Sequence, residues 1–432
     1  MSTTTPQTMA YAFLKTCGMH PERIDLDASL DAFLDEMQKG LDGQPSSLAM
    51  IPAYVAPTDS IESGRKVIVI DAGGTNLRTA LIHFNGKKLV TDQFQKTKMP
   101  GTQGEIDKDT FYNCFADLVL PMVEEADEIG FCFSYPAEIL PDGDGRVISF
   151  TKEVKAHGVE GTLLGQELRA ALAKKGVTKQ IGVVVLNDTV TTLLTAQASY
   201  PTRKCGSYVG FILGTGSNTC YVEQNAHIGK LPALNEGAQI INCETGGFNR
   251  MPLGRADEIL DKKSTRPGAA LLEKMISGAY FGELVFHTLS LAMEAGILSE
   301  LKIDRSLNTK AVNDFMIIPE DTGNVLGAAL AEKSAKEREL AYWIINGLLE
   351  RAARLTAVNM AAAILKTGAG SNPMQPVSIG IDGTSYAGRY FYRERIEYYL
   401  YDMLRVKRGI YYDLITVENA SLIGAAVAAL GK

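Results

Sequence analysis

An apolar run ends abruptly on an amide, a carboxylate and a hydroxyl at Asn187, Asp188 and Thr189. The run itself, residues 183–186 (VVVL), is typical of a buried β-strand. When a helix follows such a strand, the polar side chains between them lie at the carboxyl edge of a sheet, where α/β proteins bind ligands. A carboxylate at that edge can accept a proton from a substrate, so Asp188 is our candidate for a catalytic base.

Asp188 also has a purely structural interpretation, because Asp and Asn commonly cap the helix that follows them. The two interpretations differ in the size of their effects. Losing a cap costs about 1 kcal/mol of stability, whereas losing a general base lowers the rate by about 10²–10⁴-fold. On residue type alone capping is favoured, so motifs elsewhere in the chain must decide between them.

Two glycine-containing turns, each between two predicted strands, have the composition of phosphate-binding loops. The first is residues 71–76 (DAGGTN), after a strand at 66–70, and the second is residues 214–218 (GTGSN), after a strand at 208–213. Backbone N–H groups and a hydroxyl can cradle phosphate oxygens there, and a carboxylate beside them can hold hydrated Mg²⁺. The glycines of the first turn are equally well explained by the positive φ that tight hairpins require.

The recurrence of this pattern about 140 residues later predicts a two-lobed protein with a nucleotide between the lobes. The second turn does not fit the dinucleotide-binding fingerprint. Thr219 occupies the position of its third glycine, and a strand follows where a helix should begin. The GxxxxGKS or GxxxxGKT pattern of P-loop ATPases does not occur either. The two turns therefore indicate a nucleotide site of another kind.

Composition argues against a nucleic-acid or membrane-surface protein. The 432 residues carry 43 Lys and Arg against 50 Asp and Glu, a net charge of −7 without long runs of one sign. No apolar run is long enough to cross a bilayer, and the N-terminus lacks the features of a signal peptide, so we expect a cytosolic protein. The six cysteines are scattered, and the five histidines form no metal-binding pattern. Chemistry must then depend on carboxylates, amides and backbone groups.

Hydrophobic patterning predicts a mixed sheet with helices on its faces. We expect residues 1–62 to be a mainly helical extension that packs on the outside of the lobes, and residues 63–202 to form the smaller lobe. Residues 203–418 should form the larger lobe, and the helix at 419–432 should return to the smaller one. Further predicted elements are helices at 111–123, 161–172, 271–295, within 324–366, and at 420–430, and strands at 129–134, 240–244 and 377–381.

Eight stretches of the chain resemble, in the same order, the eukaryotic-type hexokinases. They are residues 70–78 (IDAGGTNLR), 131–136 (FCFSYP), 150–152 (FTK), 186–190 (LNDTV), 214–218 (GTGSN), 242–244 (NCE), 272–278 (LEKMISG) and 380–384 (GIDGT). The resemblance implies the α/β, two-lobed, actin-like ATPase (RNase H-like) fold. Mixed five-stranded sheets would be flanked by helices, with nucleotide and sugar in the cleft between the lobes.

The resemblance also implies which residues contact the ligands. A hexose is a ring of hydroxyls, and each needs a fixed acceptor or donor once water is excluded. The implied sugar contacts are Ser134, Thr151, Lys152, Asn187, Asp188, Asn218, Glu244 and Glu273. The implied phosphate contacts are Asp71, Gly73, Gly74, Thr75, Asn76, Arg78, Gly214, Thr215 and Gly216, and the adenosine contacts are Gly380, Asp382, Gly383 and Thr384.

Some of these residues have simpler interpretations. Arg78 leaves a hairpin, where an arginine can simply form a structural ion pair, and Glu244 and Glu273 can be surface or capping carboxylates. The implied cofactors are ATP and Mg²⁺, with the ion held through water by Asp71. The implied partner is a hexose, with glucose first and mannose and fructose as further candidates, and the oligomeric state stays open.

The function implied is transfer of phosphate from ATP to the 6-hydroxyl of a hexose, giving hexose 6-phosphate and ADP. Asp188 would be the general base, and sugar binding would close the two lobes so that water cannot attack the same phosphorus. Two alternatives stay open: a kinase for another sugar or polyol on the same fold, and a non-catalytic regulator that binds sugar or nucleotide. A regulator would be expected to lose the base, and Asp188 is present.

The chain departs from the family pattern at three places. Thr245 follows Glu244 where the family commonly has Trp, and residues 386–390 (YAGRY) replace a basic segment with a His-Pro pair. Residues 419–424 (NASLIG) lack the usual glycine-rich run. None of these departures changes a proposed catalytic group, whereas the nucleotide preference stays open.

Overall fold

The structure is a computed structural model, and it describes residues 5–57, 63–86, 88–150, 154–199 and 203–431. It contains two large sheets with helices on their faces, and two small sheets of two strands each, β5 (Ile106–Asp107) with β9 (Ala156–His157) and β7 (Ala137–Ile139) with β8 (Gly145–Val147) in chain order. Among the described residues, no helix combines the length and the apolar character needed to span a membrane.

The described chain begins with two amphipathic helices and a short strand. Thr5 and Asp25 cap the helices, each accepting a backbone N–H from the first turn through its side chain. Phe13 and Phe33 lie on their apolar faces and are buried in the core of the second sheet and its helices. These elements therefore form an outer layer that completes that core. They are α1 (Pro6–Thr16), α2 (Leu26–Leu41) and β1 (Ile51–Pro52).

The next elements build a five-stranded mixed sheet in the order β10–β6–β2–β3–β4. Strands β2, β6 and β10 are parallel, so the residues that follow β6 and β10 emerge at one edge, close to the end of β2. In chain order the elements are β2 (Lys66–Ala72), β3 (Asn76–Asn85), β4 (Lys88–Lys98), β5 (Ile106–Asp107), α3 (Lys108–Val119), β6 (Glu128–Phe133), β7 (Ala137–Ile139), β8 (Gly145–Val147), β9 (Ala156–His157), α4 (Leu164–Lys174), β10 (Gly182–Leu186) and α5 (Asp188–Ser199).

The remaining elements build the second sheet and most of the helices. The sheet order is β1–β13–β12–β11–β14–β15, with β11, β14 and β15 parallel. In chain order they are β11 (Ser207–Leu213), β12 (Ser217–Gln224), β13 (Ala238–Asn242), α6 (Arg255–Lys263), α7 (Leu271–Ile276), α8 (Phe281–Glu294), α9 (Thr309–Ile317), α10 (Val325–Ala331), α11 (Ala335–Lys366), β14 (Val377–Asp382), α12 (Thr384–Gly388), α13 (Tyr392–Leu400), β15 (Tyr412–Thr416) and α14 (Ala420–Leu430).

Two expectations differ from the structure in detail. The second sheet has six strands rather than five, because β1 pairs antiparallel with β13 and so becomes an additional edge strand. The helical run expected at 271–295 is broken between α7 and α8, where Gly278 donates its N–H to the carbonyl of Gly214 at 2.8 Å. The backbone of 277–280 is thus used to hold the second turn instead of continuing a helix.

Helices α5 and α14 join the two sheets. Helix α5 packs on β11 and β14, and α14 packs on α5 and on β2 and β6. Glycine is required at this contact: a Cβ on Gly210 would lie 2.5 Å from the carbonyl oxygen of Thr189, and a Cβ on Gly424 would overlap Thr191. The chain thus returns to the first sheet at its C-terminus. The exact lobe boundaries at 62, 202 and 418 stay a prediction.

Candidate functional site

Asp188 is the first residue of α5, and its neighbour Asn187 performs the capping. The side-chain oxygen of Asn187 accepts the backbone N–H of Thr189 at 2.9 Å. The hydroxyls of Thr191 and Thr192 donate to the backbone carbonyl of Asp188 at 2.7 and 3.0 Å. The carboxylate of Asp188 is therefore not needed as a cap, and it faces the cleft between the sheets.

Two cavities meet at Asp188. The inner cavity, of about 510 Å³, is lined from the first sheet by Ser134 and Asn187 and from the second by Asn218, Glu244 and Glu273. The outer cavity, of about 1180 Å³, is lined by the first turn together with Thr215 and Gly216 of the second. The residues that line both cavities are Ser134, Pro136, Asp188, Ile212, Thr215 and Gly216.

The wall of the inner cavity on the second sheet is a connected network of amides and carboxylates. Asn218 donates to Asn242 at 2.7 Å and to Glu244 at 3.1 Å, and Asn242 donates to Glu244 at 2.7 Å. Glu273 accepts the backbone N–H of Ser217 at 3.1 Å. Such a wall presents fixed hydrogen-bond acceptors and suits a ligand that carries several hydroxyls.

Burial and crowding of negative charge set the pKa values of these carboxyls. Burial first, and the negative charge of Glu244 second, raise the pKa of Asp188 to about 7, although a hydrogen bond from Ser134 opposes the shift. Glu244 faces the cleft, and desolvation by the surrounding protein raises the pKa of its carboxyl. Desolvation raises the pKa of Glu273 in the same way. A carboxyl with a pKa near neutrality can both accept and release a proton at physiological pH.

The expected sugar contacts Ser134, Asn187, Asp188, Asn218, Glu244 and Glu273 all line the inner cavity. The other two, Thr151 and Lys152, lie outside the described residues. The carboxylate of Glu244 accepts a hydrogen bond from Asn218, and that of Glu273 accepts one from the backbone of Ser217. These bonds fix both carboxylates in the cavity wall, which disfavours the interpretation of either as an ordinary surface carboxylate.

The first turn, residues 73–75, lies open at the wall of the outer cavity. The expectation that its glycines supply positive φ is wrong, since neither Gly73 nor Gly74 adopts it. A Cβ on Gly74 would meet no atom within 4 Å. Its carbonyl accepts the Tyr135 hydroxyl at 2.6 Å, and the carbonyl of Thr75 accepts the N–H of Met99 at 3.0 Å. Turn geometry therefore does not require these glycines, and close approach of a ligand explains them better.

Asp71 and Arg78 face each other across the β2–β3 hairpin. The guanidinium forms an ion pair with the buried carboxylate, with its Nε donating at 2.6 Å, and it also donates to Ser421 of α14 at 3.0 Å. Burial raises the pKa of Asp71, and the positive charge of Arg78 opposes that shift. Arg78 thus has a structural role whether or not it also touches a phosphate.

The carboxylates at the outer cavity fit a magnesium ion that is bound mainly by its substrate. No group of three or more His, Cys, Asp or Glu side chains in the described parts of the chain could hold a metal by itself. Mg²⁺ usually keeps several waters and is held by one or two carboxylates together with substrate phosphates. Asp71 lines this cavity and is the carboxylate that fits such an ion, held through water.

A third cavity, of about 400 Å³, lies on the other side of the second turn. Gly214, Thr215 and Thr384 line it, together with Thr309 and Lys310 of α9. Gly383, with φ of 114°, packs directly on the backbone of Leu213 and Gly214, and its N–H donates to Asp382 at 2.6 Å. Gly380 does not line this cavity; it lies inside β14 against α5, so it acts through packing.

The sequence did not single out several residues that line the cavities. Lys96 of β4 and Arg266 in the α6–α7 loop both line the outer cavity, and both are exposed. Asn242 lies in the inner cavity and holds Glu244. Asn242 was inside a matched stretch and could have been found there. Lys96 and Arg266 had no local signal, because ordinary charged surface residues look the same in sequence.

Comparison with known proteins agrees with this geometry. Two family models, both described as hexokinase, match residues 12–198 and 208–431. Hexokinase-1 of Schizosaccharomyces pombe is 28% identical, over 92% of this chain and 85% of its own length. Hexokinase-3 of Homo sapiens is 29% identical over 81% of this chain, and the match spans 39% of that longer protein.

A solved structure of hexokinase from Schistosoma mansoni, complexed with glucose, superposes on this chain with a TM-score of 0.80 at 26% identity. The superposition covers 99% of both chains. The two-lobed α/β fold expected from the resemblance is confirmed. The chain belongs to the hexokinase family, and the protein is a hexose kinase.

Proposed function

We propose that the protein transfers the γ-phosphoryl group of ATP to the 6-hydroxyl of a hexose, with glucose as the preferred substrate, and that Asp188 is the general base. The observation that carries this proposal is the place of Asp188, where the inner and outer cavities meet. A hydroxyl bound in the inner cavity and a phosphate bound in the outer cavity would meet beside its carboxylate. The proposal also draws support from the pKa of about 7, which suits a base at neutral pH.

Proton transfer and phosphoryl transfer are balanced in this arrangement. The ionised carboxylate of Asp188 accepts the proton of the sugar hydroxyl as the new O–P bond forms and the bond from the γ-phosphorus to the bridging oxygen breaks, so ADP leaves. Asn218, Glu244 and Glu273 would bind the remaining hydroxyls and hold the reacting oxygen in line. Poor positioning would cost rate even with the base intact.

The two turns would bind the nucleotide phosphates, and the third cavity would take the adenosine. Asp71 is the residue that would hold Mg²⁺ through water, and the bound ion would neutralise charge on the β- and γ-phosphates. Lys96 and Arg266 would add positive charge from opposite sides of the outer cavity. The protein's own cations matter here, because Arg78 is already paired with Asp71.

Closure of the lobes on the sugar would complete the site. The inner cavity takes its walls from both sheets, and Ile148 on its rim is 55% exposed. Closing the cleft would bury this rim and exclude water from the phosphorus. Small-angle scattering with and without glucose measures this directly: the radius of gyration should fall, and an unchanged value would contradict closure.

We also propose that the reaction takes place in the cytosol. All six cysteines are free thiols, as expected for a protein from a reducing compartment. The hexose is the partner that the site supports, and nothing in the charge pattern favours nucleic acid.

The test is a coupled assay of ADP release with glucose, mannose, fructose and glucosamine, for the wild type and for Asp188→Asn. We expect wild-type turnover with glucose as the best substrate, and a loss of about 10²–10⁴-fold in kcat in the variant. Calorimetry should show that the variant still binds glucose, because the amide keeps the side-chain shape. Near-wild-type turnover in Asp188→Asn would remove it as the base. A wild type that turns over none of the sugars but binds one would favour a regulator.

A further inference from the structure

We propose that Asn359, in the middle of α11 and outside every cavity described above, is a positioning residue for the hexose site. The inference rests on the proposed function of that site. The side chain of Asn359 is 0% exposed and lies in a buried polar cluster with two threonines. Thr219 donates its hydroxyl to the amide oxygen of Asn359 at 2.9 Å, and the amide nitrogen donates to the Thr245 hydroxyl at 3.2 Å. The hydroxyl of Thr245 donates to that of Thr219 at 3.3 Å, which closes the cluster.

Each threonine of the cluster directly follows a residue of the inner cavity, Thr219 after Asn218 and Thr245 after Glu244. The backbone N–H groups of both threonines donate to the side-chain oxygen of Asn218, at 2.7 and 3.2 Å. The amide nitrogen of Asn218 is used as well, since it donates to Asn242 and to Glu244. An unbroken series of hydrogen bonds thus leads from α11 to the carboxylate of Glu244.

Glu244 is the part of this series most in need of support. Its backbone has φ of 58° and ψ of 49°, a left-handed conformation that is strained for a residue other than glycine and persists only when its surroundings hold it. Thr245 is the next residue, and its hydroxyl is held by Asn359. An amide suits the role because it accepts from one hydroxyl and donates to the other.

The simpler interpretation is that Asn359 only satisfies two buried hydroxyls in a core. Both interpretations predict that its removal destabilises the protein, so stability cannot separate them. They differ at the cavity. If Asn359 positions Glu244, its removal weakens hexose binding and moves negative charge away from Asp188, whereas a core role leaves both unchanged.

The experiment compares Asn359→Ala with the matched control Thr356→Val on the same helix. Thr356 is also 0% exposed, its hydroxyl forms a hydrogen bond with that of Tyr392 at 2.9 Å, and neither residue lines the inner cavity. Calorimetry with glucose alone should show about tenfold weaker binding in Asn359→Ala and unchanged binding in Thr356→Val. The KM for glucose should rise in step, with kcat reduced less than the KM is raised.

The pH profile is the second readout, and a purely structural role would not move it. The groups that face Asp188 are the carboxyls of Glu244 and Asp71, the thiols of Cys132 and Cys220, the hydroxyls of Ser134 and Thr189, and the backbone N–H of Thr189. Of these, Glu244 is the one that the cluster holds. Release of Glu244 should lower the pKa of Asp188, so the acidic limb of kcat/KM moves to lower pH in Asn359→Ala.

The proposal would be overturned if Asn359→Ala had the same glucose affinity and the same acidic limb of kcat/KM as Thr356→Val, whatever its loss of stability. If Asn359→Ala does not fold, Thr245→Val removes one hydroxyl of the cluster with little change in shape. It should weaken glucose binding in the same direction, and unchanged binding would also overturn the proposal. Binding is measured without turnover, so failure here is separate from failure of the proposed phosphorylation, which wild-type turnover tests.

Discussion

The two glycine turns share a motif but not an environment. Each is a three-residue connection between antiparallel strands, 73–75 between β2 and β3 and 214–216 between β11 and β12. Around the first, a Cβ on Gly74 would find empty space. In the second turn, a Cβ on Gly216 would lie 2.6 Å from the carboxylate of Glu273. The carbonyls of this turn accept hydrogen bonds from Gly278, Ala279 and Ser385.

The difference separates two reasons for glycine. In the second turn a Cβ on Gly216 would collide with the Glu273 carboxylate, and hydrogen bonds from Gly278, Ala279 and Ser385 already hold the carbonyls of Gly214 and Thr215. In the first turn the protein leaves room, so glycine keeps space for a ligand. We infer that the first turn keeps space for the phosphates, while the second is packed against Glu273 on the sugar side. Substitutions should therefore affect stability at the second turn and nucleotide binding at the first.

The largest effect should come from Gly383→Ala, which presses on the second turn. The new Cβ would overlap the carbonyl of Leu213 and lie 2.8 Å from the nitrogen of Gly214, and φ of 114° is unfavourable for alanine. We expect a loss of about 2–4 kcal/mol in the free energy of unfolding, measured with urea. Gly388→Ala is the matched control, since its Cβ would meet nothing within 4 Å. Equal stability of the two variants would contradict the rigid second turn.

An intermediate effect is expected in the pH dependence, where the two turns contribute unequally. The pKa of about 7 for Asp188 predicts that kcat/KM rises with pH and is about tenfold below its plateau one pH unit under that pKa. Glu244, on the side of the second turn, raises this pKa more than Asp71 beside the first turn does. Glu244→Gln should therefore shift the acidic limb to lower pH by more than Asp71→Asn does, and the reverse order would contradict the comparison.

The same carboxyl should affect stability with a definite sign. The folded pKa of Asp188 is raised above that of the unfolded chain, so the ionised form is disfavoured in the folded state. The contribution of Asp188 to the stability of the ligand-free protein should therefore fall as pH rises from about 4 to about 7. Asp188→Asn should reduce this loss, and a thermal unfolding series across that range measures it. A variant with the same pH dependence as the wild type would argue against the raised pKa.

The smallest effect should come from Gly74→Ala at the first turn. The added methyl group would meet no protein atom, so the free energy of unfolding and glucose affinity should stay unchanged. The KM for ATP should rise several-fold, because the Cβ occupies space that the phosphates would approach. A fall in stability similar to that of Gly383→Ala would mean that the first turn is as tightly packed as the second. An unchanged KM for ATP would remove it from the nucleotide site.

Local features of the chain were predictable from the sequence. Helix α14 occupies the predicted residues, both hairpins form, and Asn187 and Asp188 follow a buried strand as expected. These features depend on residues close together in the chain, through alternation of apolar and polar residues, turn composition and capping. The ordered motifs were also sufficient for the family, because each carries chemistry at a recognisable spacing.

Only the tertiary structure decided which groups act together. It made Asn187 the helix cap and left the Asp188 carboxylate to the cleft, and it added β1 as a sixth strand. It also brought Asn359 into contact with Thr219 and Thr245, which lie more than 100 residues earlier in the chain and support Glu244. Burial, close approach and charge interactions join residues that are far apart in sequence, and for that reason these roles appear only once the chain is folded.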